Sequence, residues 1–484
     1  MAKNKIYISL FLGLTILIGI ALLYMRHLAP SFVRGTNTFQ HPYIEFAGAL
    51  MLGGLLWTGL IALIPRLLNS PHKKKLLWGS IGFGLICRLG FLGTVPIYED
   101  DWNRYLWDGA VITKSINPYK YSPCEINGIQ AMTEAQLERF YRACDDADRG
   151  GATDELKTLL FFSNDHDQHI QKINFPELRT IYPPVAQAVF TVAAFMEPIS
   201  LTPLRLVYAL LFIVSIVLMI VALRHYGRDP LWAALYALNP LLIYSGFNVV
   251  HMDVILVPFM LGAMILVKTR PFWAGALLAG AGAVKLWPLV LAPIVFRGWR
   301  SQVKTYILIA CVTAVTFILL TAPLFLSLGE NSGLSAYAGE WERSSFIFPR
   351  ISYLIGGVIT APGQILRILI ALFITALSLY YGFFKSPDHN KLPLALMVVT
   401  LTFYLISPTG YPWYMIWFLY LIPFVPSYGV GVLTALVSLY YVRYALGEQN
   451  RYHVYEDILV PLQFGIPIII MVAEVYFHKL KRKV

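Results

Sequence analysis

The sequence predicts an all-α polytopic membrane protein, a bundle of about 12–14 transmembrane helices with large loops outside the membrane. Of the 484 residues, 57% are hydrophobic and only 13% are charged, whereas soluble proteins carry about 25% charged residues. Apolar stretches recur that are long enough to cross a hydrocarbon core of about 30 Å. Because backbone groups in lipid must be bonded within the segment, these stretches are expected to be helices. Weak alternation of apolar and polar residues argues against a barrel.

The predicted spans follow one another along the chain, and several are short or interrupted by proline. The first span follows Lys3 and Lys5 and lacks a small-residue cleavage site, so we expect it to stay in place rather than be removed as a signal peptide. The spans are 7–24, 44–64, 76–94, 182–198, 204–223, 231–247, 251–267, 272–295, 304–326, 364–384, 392–406, 412–425, 428–446 and 459–478.

The distribution of charge predicts the orientation of the bundle. Residues 96–181 hold 15 of the 27 acidic residues but nine of the 38 basic residues. Basic clusters at 72–75, 297–304 and 479–483 are expected on the cytoplasmic side, as the positive-inside rule requires. The overall excess of +11 therefore reflects membrane topology, and we expect no nucleic-acid partner. The acidic segment 96–181 is predicted to lie outside.

Three parts follow from this topology. Residues 1–95 are N-terminal transmembrane helices, 96–181 form the acidic extracytoplasmic loop, and 182–484 form the remaining bundle. A second outside loop is predicted near 328–348. Within the acidic loop, Cys124 and Cys144 could form a disulfide in an oxidising compartment.

Simple counting leaves one conflict in the second half of the chain. It places the basic residues Arg224, His225 and Arg228 outside, although they are typical of a cytoplasmic end. One of the segments 182–198 and 272–295 could therefore be a broken or re-entrant element. The sequence leaves this choice open.

The strongest local pattern lies at 99–109, directly after a predicted span. Asp100 or Asp101 can cap a short helix, and in that helix Asp101, Arg104, Tyr105 and Asp108 would share one face. An ionised carboxylate at this position could accept a proton from a hydroxyl group as a general base. The alternative interpretation is a capped surface helix stabilised by ion pairs.

Polar and charged residues at other outside helix ends are further candidates. Ionisable residues within membrane segments are costly and are therefore candidates for function. A structural polar pair of His251 and Asp253, and an interfacial position for Lys285, remain alternatives. The candidates are Tyr182 in a Tyr-Pro-Pro run, Asn248, His251, Asp253, the lone cation Lys285, and Arg343 in the second outside loop.

Several of these motifs, in the same order, resemble a known enzyme group. The run from Asp100 to Gly109, followed by Asn117-Pro118-Tyr119, is similar to the first outside loop of bacterial GT-C glycosyltransferases. The resemblance is closest to polyprenyl-phosphate-mannose-dependent mannosyltransferases and extends over about residues 95–415. The later matching runs are Tyr182-Pro183-Pro184, Asn239-Pro240, Asn248, His251 with Asp253, Lys285 with Pro288, and Ser407-Pro408 with Pro412-Trp413-Tyr414.

The resemblance implies a GT-C-type fold and an inverting sugar transfer. The donor would be a polyprenyl-phosphate sugar, most simply mannose, and the acceptor a hydroxyl of a glycan, a lipid or a lipid-linked molecule at the outer face of the membrane. Asp101, with Asp100 beside it, is the expected general base. The remaining candidates would bind the donor phosphate or sugar: Arg104, Tyr105, Asp108, Tyr182, Asn248, His251, Asp253, Lys285 and Arg343.

Three points stay open at this level. The metal site is unknown, although the carboxylates could bind a divalent cation. The expected location is the bacterial inner membrane, in contact with membrane lipids. The alternative function is a transporter or flippase of a lipid-linked sugar, which would also need many spans and charges at membrane level.

Overall fold

The computed structural model describes residues 2–32, 41–130, 147–166, 169–327, 333–356 and 361–481. Over these residues the protein is built from helices, as the sequence predicts. The helices of the first half are α1 Ala2–Leu28, α2 Tyr43–Leu67, α3 Lys73–Leu89, α4 Asp101–Thr113, α5 Pro123–Gln130, α6 Ala147–Asp165, α7 Pro184–Met196, α8 Leu201–His225, α9 Ala233–Ala237, α10 Pro240–Ile243 and α11 Leu256–Leu266.

The second half continues the bundle with long helices and short helical pieces. They are α12 Pro271–Gly282, α13 Ala292–Val295, α14 Val303–Phe325, α15 Gly333–Glu340, α16 Phe348–Gly356, α17 Pro362–Leu379, α18 Leu392–Ile406, α19 Ile416–Leu419, α20 Tyr428–Leu436, α21 Leu439–Glu448, α22 Tyr452–Val454 and α23 Val460–Lys481.

Long transmembrane helices are fewer than the 12–14 spans predicted. The described residues contain eight helices that are long and apolar enough to cross a membrane. The number is nine if two further helices, a pair bent by 106° around residues 249–251, together form one span. Other predicted spans, such as 231–247 and 412–425, are short helices separated by breaks. Hydropathy alone does not reveal such breaks, because irregular backbone buried within protein can be just as apolar as a lipid-facing helix.

Contacts between loops define two ends of the bundle. One end, called the basic end, carries the basic clusters 72–75 and 297–304. There, Lys73 forms a 2.6 Å ion pair with Asp229, and Arg297 donates a hydrogen bond to the Asp388 carbonyl. The opposite end carries the 99–109 run and is called the site end. There, Arg205 at the start of α8 donates to the carbonyls of Phe91 and Thr94, which follow α3. Helix α8 therefore runs from the site end to the basic end, and it brings Arg224, His225 and Arg228 to the same end as the 72–75 cluster.

The predicted span 182–198 does not cross the bundle. It forms the 13-residue helix α7, which is too short for a span since a helix rises about 1.5 Å per residue. Its Ala194 packs into a small core of the acidic loop with Trp107 and Phe162. A Cβ at Gly109 would lie 2.5 Å from the Phe190 carbonyl oxygen, so α4 and α7 can pack closely only because of that glycine. Without a span at 182–198, the count of spans places Arg224, His225 and Arg228 on the expected cytoplasmic side.

The predicted single span 272–295 is also wrong. Helix α12 rises to the site end, where Lys285 pairs with Asp253. The chain then returns through the short helix α13, and Trp299 donates to the Val267 carbonyl near the basic end. The segment therefore makes two passes, because the chain turns near Lys285.

Some predicted features lie partly outside the described residues. Cys124 is exposed and carries a free thiol, which does not support the predicted disulfide, and Cys144 is not among the described residues. Residues 328–332 of the second outside loop are also not described. The division at residues 95 and 181 and the sidedness of the loops stay predictions.

Arg205 offers a test of how this bundle is held together. Its guanidinium is 1% exposed and donates to the carbonyls of Phe91, Thr94, Phe247 and Asn248 at 2.6–3.1 Å. Arg205→Lys keeps the charge but removes the planar set of donors, leaving buried carbonyls unpaired at a cost of about 3 kcal/mol. We expect a lower thermal unfolding midpoint for the purified protein in detergent.

The matched control is Arg224→Lys, an exposed arginine in the last turn of the same helix. It should leave the midpoint unchanged. Equal midpoints for the two variants would show that the four hydrogen bonds of Arg205 do not stabilise the fold.

Candidate active site

A cavity of about 890 Å³ lies at the site end of the bundle. Its wall combines α4, the segment 174–183, the turn at Lys285, and side chains from α15, α17, α18 and α21. The charged residues that line it are Glu99, Asp100, Asp101, Arg104, Arg179, Asp253, Lys285, Arg343, Arg367 and Arg443.

The cavity brings together most of the candidate site residues, although they are far apart in the sequence. Aromatic side chains, among them Trp341, Trp413 and Tyr414, line the rest of the wall. The sequence-predicted residues on the wall are Asp100, Asp101, Arg104, Tyr105, Tyr182, Asp253, Lys285 and Arg343. Those outside the lining are Asp108, Asn248 and His251.

The adjacent carboxylates lie at the start of α4, as predicted. Asp100 is the N-terminal flanking residue of the helix, but its side chain makes no capping hydrogen bond. Asn174 instead donates from Nδ2 to Asp100 Oδ1 at 2.8 Å and to Asp101 Oδ1 at 3.2 Å. The segment after α6 therefore fixes both carboxylates, and the Asp101 side chain keeps 29% of its surface exposed.

The local electrostatics raise the pKa of Glu99 and of Asp101. Burial, and then the charge of Asp100, raise the pKa of Asp101 to about 6, although Asn174 and Lys285 act in the opposite direction. Burial and then the charge of Asp101 raise the pKa of Glu99 well above its ordinary value. Asp101 is therefore ionised at neutral pH but basic enough to accept a proton, as a general base must be.

A sharp bend between two helices brings a further acidic residue, Asp253, to the cavity. The buried residue Val250 has φ +52°, a strained conformation for a β-branched residue, and it turns the chain between the two halves of the bent pair. After this turn, the His251 ring stacks on Trp413 at 4.1 Å, and its Nδ1 lies 3.9 Å from Asp101 Oδ2. His251 therefore lies beside Asp101, the predicted base, although it does not line the cavity.

Asp253 and Lys285 form a partly enclosed ion pair. The Lys285 Nζ lies 2.8 Å from Asp253 Oδ1, and Trp417 Nε1 donates to the same oxygen at 2.5 Å. The ammonium also lies 3.9 Å from the centre of the Tyr414 ring, within cation–π distance. Since Asp253 is only 2% exposed and already paired, it is less available as a base than Asp101.

Three arginines of the described ranges add positive charge to the cavity wall. Within those ranges, Arg343, Arg367 and Arg443 have no carboxylate within 4 Å. Arg367 Nη2 donates to the Trp341 carbonyl at 2.9 Å, and Arg443 Nη2 donates to the Tyr444 hydroxyl at 2.6 Å. A guanidinium matches the geometry of phosphate oxygens, so this set can bind an anionic group.

Two predicted binding residues are hydrogen-bonded to protein groups outside the cavity lining. Asp108 is 1% exposed and accepts hydrogen bonds from Thr180 Oγ1 and Gln187 Nε2 at 2.5 and 2.8 Å. Asn248 accepts from the Ile97 amide at 2.9 Å and is fully buried. Both residues hold the segments that carry the site, because their polar groups are satisfied away from the cavity.

Arg104 and Asp108 both lie on α4, but they are not within ion-pair distance of each other. Arg104 Nη2 donates to the carbonyls of Phe175 and Leu178 at 3.2 and 3.0 Å. These bonds hold the segment that carries Asn174 against α4. Arg104 therefore lines the cavity and also positions the segment beside the two carboxylates.

Sequence reasoning missed Asn174, Arg367, Trp417 and Arg443. Arg367 and Arg443 lie within the predicted spans 364–384 and 428–446, and a charge in a span was a signal that could have found them. Asn174 and Trp417 carried no such signal, because their roles depend on contacts across the chain.

The possible metal site finds no support in side-chain grouping. Over the described ranges, no group of three or more His, Cys, Asp or Glu side chains is placed to hold a metal ion. The divalent cation therefore stays a prediction, and the chemistry proposed below depends on protein side chains.

Comparison with known proteins points to one enzyme class. The family model of Glycosyltransferase family 87 matches residues 180–408. The match indicates a membrane glycosyltransferase. It covers just under half of the chain and includes the cavity residues Tyr182, Asp253, Lys285 and Arg343, but not Asp100 or Asp101. Comparison with curated proteins and with solved structures found no match.

Asn174 offers a test of the electrostatics of this glycosyltransferase. Asn174→Ala removes a hydrogen bond that lowers the pKa of Asp101, so Asp101 should stay protonated to higher pH. Dicyclohexylcarbodiimide reacts with protonated carboxyl groups. We expect the pH at which half of Asp101 is modified, measured by mass spectrometry of its peptide, to rise.

Asn390→Ala, an exposed asparagine near the basic end, is the control and should not change this pH. An unchanged midpoint in Asn174→Ala would show that Asn174 does not stabilise the ionised form of Asp101.

Proposed function

We propose that the protein transfers a sugar, most simply mannose, from a polyprenyl-phosphate donor to an acceptor hydroxyl with inversion at the sugar. The observation that carries this proposal is the single cavity that contains both Asp101 and a set of cations. The choice of mannose follows from the resemblance of the Asp100–Gly109 run to mannosyltransferases. The choice of a glycosyltransferase agrees with the family match.

Asp101 would deprotonate the acceptor. As the acceptor oxygen attacks the anomeric carbon, the bond from that carbon to the donor phosphate breaks, and the proton passes to the Asp101 carboxylate. A single displacement inverts the centre, as in inverting glycoside hydrolases, which also use a second carboxyl group to protonate the leaving oxygen. Here the phosphate leaves as a stable anion, so one base is sufficient. The pKa of about 6 allows Asp101 to be ionised before the step and to accept the proton during it.

The cations would stabilise the departing phosphate. Lys285 lies close to the aromatic rings of Tyr414 and Trp417, and Arg343 and Arg367 line the same cavity. Negative charge grows on the phosphate oxygens as the bond breaks, so fixed cations stabilise the transition state more than the bound donor. Pairing with Asp253 holds the Lys285 ammonium in place before the donor binds.

Apolar residues on two helices suit the lipid part of the donor. Ile370 and Ala371 of α17 and Phe403 of α18 line the cavity. Also on α17, Ile368 and Leu369 are 61% and 51% exposed, as expected for a helix face toward lipid. A polyprenyl chain could therefore reach the charged part of the cavity from the membrane beside α17.

The roles of the acids can be separated by substitution. Asp101→Asn should reduce turnover by about 10²–10⁴-fold, the usual contribution of general acid–base catalysis. The assay is release of polyprenyl phosphate from a labelled polyprenyl-phosphate mannose. Asp154→Asn, an exposed acid in the same loop, is the control and should keep normal turnover.

Activity should also fall as the pH decreases through about 6, because Asp101 must be ionised to act as a base. Full turnover in Asp101→Asn would remove this residue from the mechanism. A flippase would move the intact donor across vesicle membranes without releasing polyprenyl phosphate.

The proposed location of the site is outside the cytoplasm, in the bacterial inner membrane. Its support is the concentration of basic residues at the opposite end of the bundle. In a background with the four native cysteines replaced by serine, the Asp154→Cys variant should react with an impermeant maleimide added to intact cells, and the Asn390→Cys variant should react only after lysis. The reverse pattern would place the cavity in the cytoplasm.

A further inference from the structure

A second cavity lies at the basic end, opposite the candidate active site. It encloses about 230 Å³ between the turn after α11, the turn after α13 and the segment before α18. Its polar lining residues are Lys268, Arg297, Gln302 and His389. Nothing in the proposed sugar transfer uses this cavity.

Arg297 is the decisive residue in this cavity. Its side chain is only 3% exposed, and Nη2 donates to the Asp388 carbonyl at 2.5 Å. Its Nε is buried without a hydrogen-bond partner in the structure as described. A buried guanidinium has five donors and is costly to leave without a negative partner. The described ranges provide no carboxylate within 4 Å of it.

Lys268 increases the positive charge of the cavity, whereas His389 is a neutral neighbour, because burial lowers the pKa of its imidazole to about 4. Lys268 is exposed and lines the cavity. His389 is held by a 2.8 Å contact between its Nε2 and that of His225, and its ring stacks on Tyr226 at 4.6 Å. These contacts fix the imidazole at the cavity wall.

Two other charged residues nearby already have partners. Arg300 Nη1 donates to the carbonyls of Gly382, Phe383 and Lys385, which follow α17. The Asp388 carboxylate accepts from the Asn390 amide at 3.0 Å. Asp388 supplies one negative charge near the cavity, but it does not form an ion pair with Arg297.

We propose that this cavity binds the phosphate group of an anionic phospholipid. Arg297 can donate from two nitrogens to phosphate oxygens, and Lys268 adds a mobile ammonium. The apolar residues Val267, Val295 and Leu392 share the wall, so the start of an acyl chain can lie beside the headgroup. The site belongs to the same basic end as the 72–75 cluster, and it is independent of the proposed sugar transfer.

The test uses the full-length protein purified in a neutral detergent. Thermal unfolding is followed while dioleoylphosphatidylglycerol is titrated, with dioleoylphosphatidylcholine and inorganic phosphate in parallel. A ligand that binds only the folded state raises the unfolding midpoint according to its concentration and affinity. We expect stabilisation by phosphatidylglycerol, and no stabilisation by phosphatidylcholine or by phosphate at the same phosphorus concentration.

Lys268→Gln should raise the half-saturating concentration of phosphatidylglycerol about tenfold, since it removes one charge-assisted hydrogen bond. Arg297→Gln should abolish the stabilisation. The matched control is Lys391→Gln, an exposed lysine at the same end that does not line the cavity, and it should behave as the unchanged protein.

The exposed position of Lys268 makes its variant decisive even where Arg297→Gln does not fold. An identical titration for Lys268→Gln and the unchanged protein would overturn the site. Equal stabilisation by inorganic phosphate would overturn the assignment to a lipid headgroup.

Discussion

The geometry of the site depends on the hydrogen bonds made by backbone carbonyl groups where helices are interrupted inside an apolar bundle. The helical structure is interrupted after α3 and again at residues 249–251, and both interruptions lie at the site end. Arg205 donates to carbonyls on both sides of this junction, and Asn248 bonds to the amide of Ile97. Because these polar groups are buried, their hydrogen bonds fix the path that leads to Asp100 and Asp101.

The same junction explains why acids and cations can share one cavity. Charges in a poorly solvated space are stable only near opposite charges or strong hydrogen-bond donors. Asp253 meets this condition through Lys285 and Trp417, and Asp101 through Asn174. Arg179 at the wall pairs with Glu125. Arg343, Arg367 and Arg443 have no carboxylate within 4 Å in the described parts of the chain, so a phosphate group could pair with them. In the proposed reaction, the anionic donor would therefore meet cations that are already in place.

The two cavities combine similar elements for different purposes. Each contains arginine beside aromatic and apolar residues, but only the cavity at the site end includes several carboxylates. An acid able to accept a proton distinguishes a site for chemistry from a site that only binds an anion. The position of Arg297 at the end rich in basic residues suits binding to a headgroup at the membrane surface.

The sequence by itself determined the helical membrane class, the acidic loop and the position of Asp100 and Asp101 at the start of a helix. These features are local, since apolar length and helical spacing can be recognised within about twenty residues. The family match also agrees with the glycosyltransferase class implied by the ordered motifs.

Only the tertiary structure decided which candidates meet. It brought Asn174 to the two aspartates and Trp417 to Asp253, and it assigned Asp108 and Asn248 to structural hydrogen bonds. It also showed that 182–198 returns to the same end of the bundle instead of crossing it. The physical reason is that hydropathy records how apolar a segment is, whereas the partner that satisfies a buried polar group can lie anywhere in the chain.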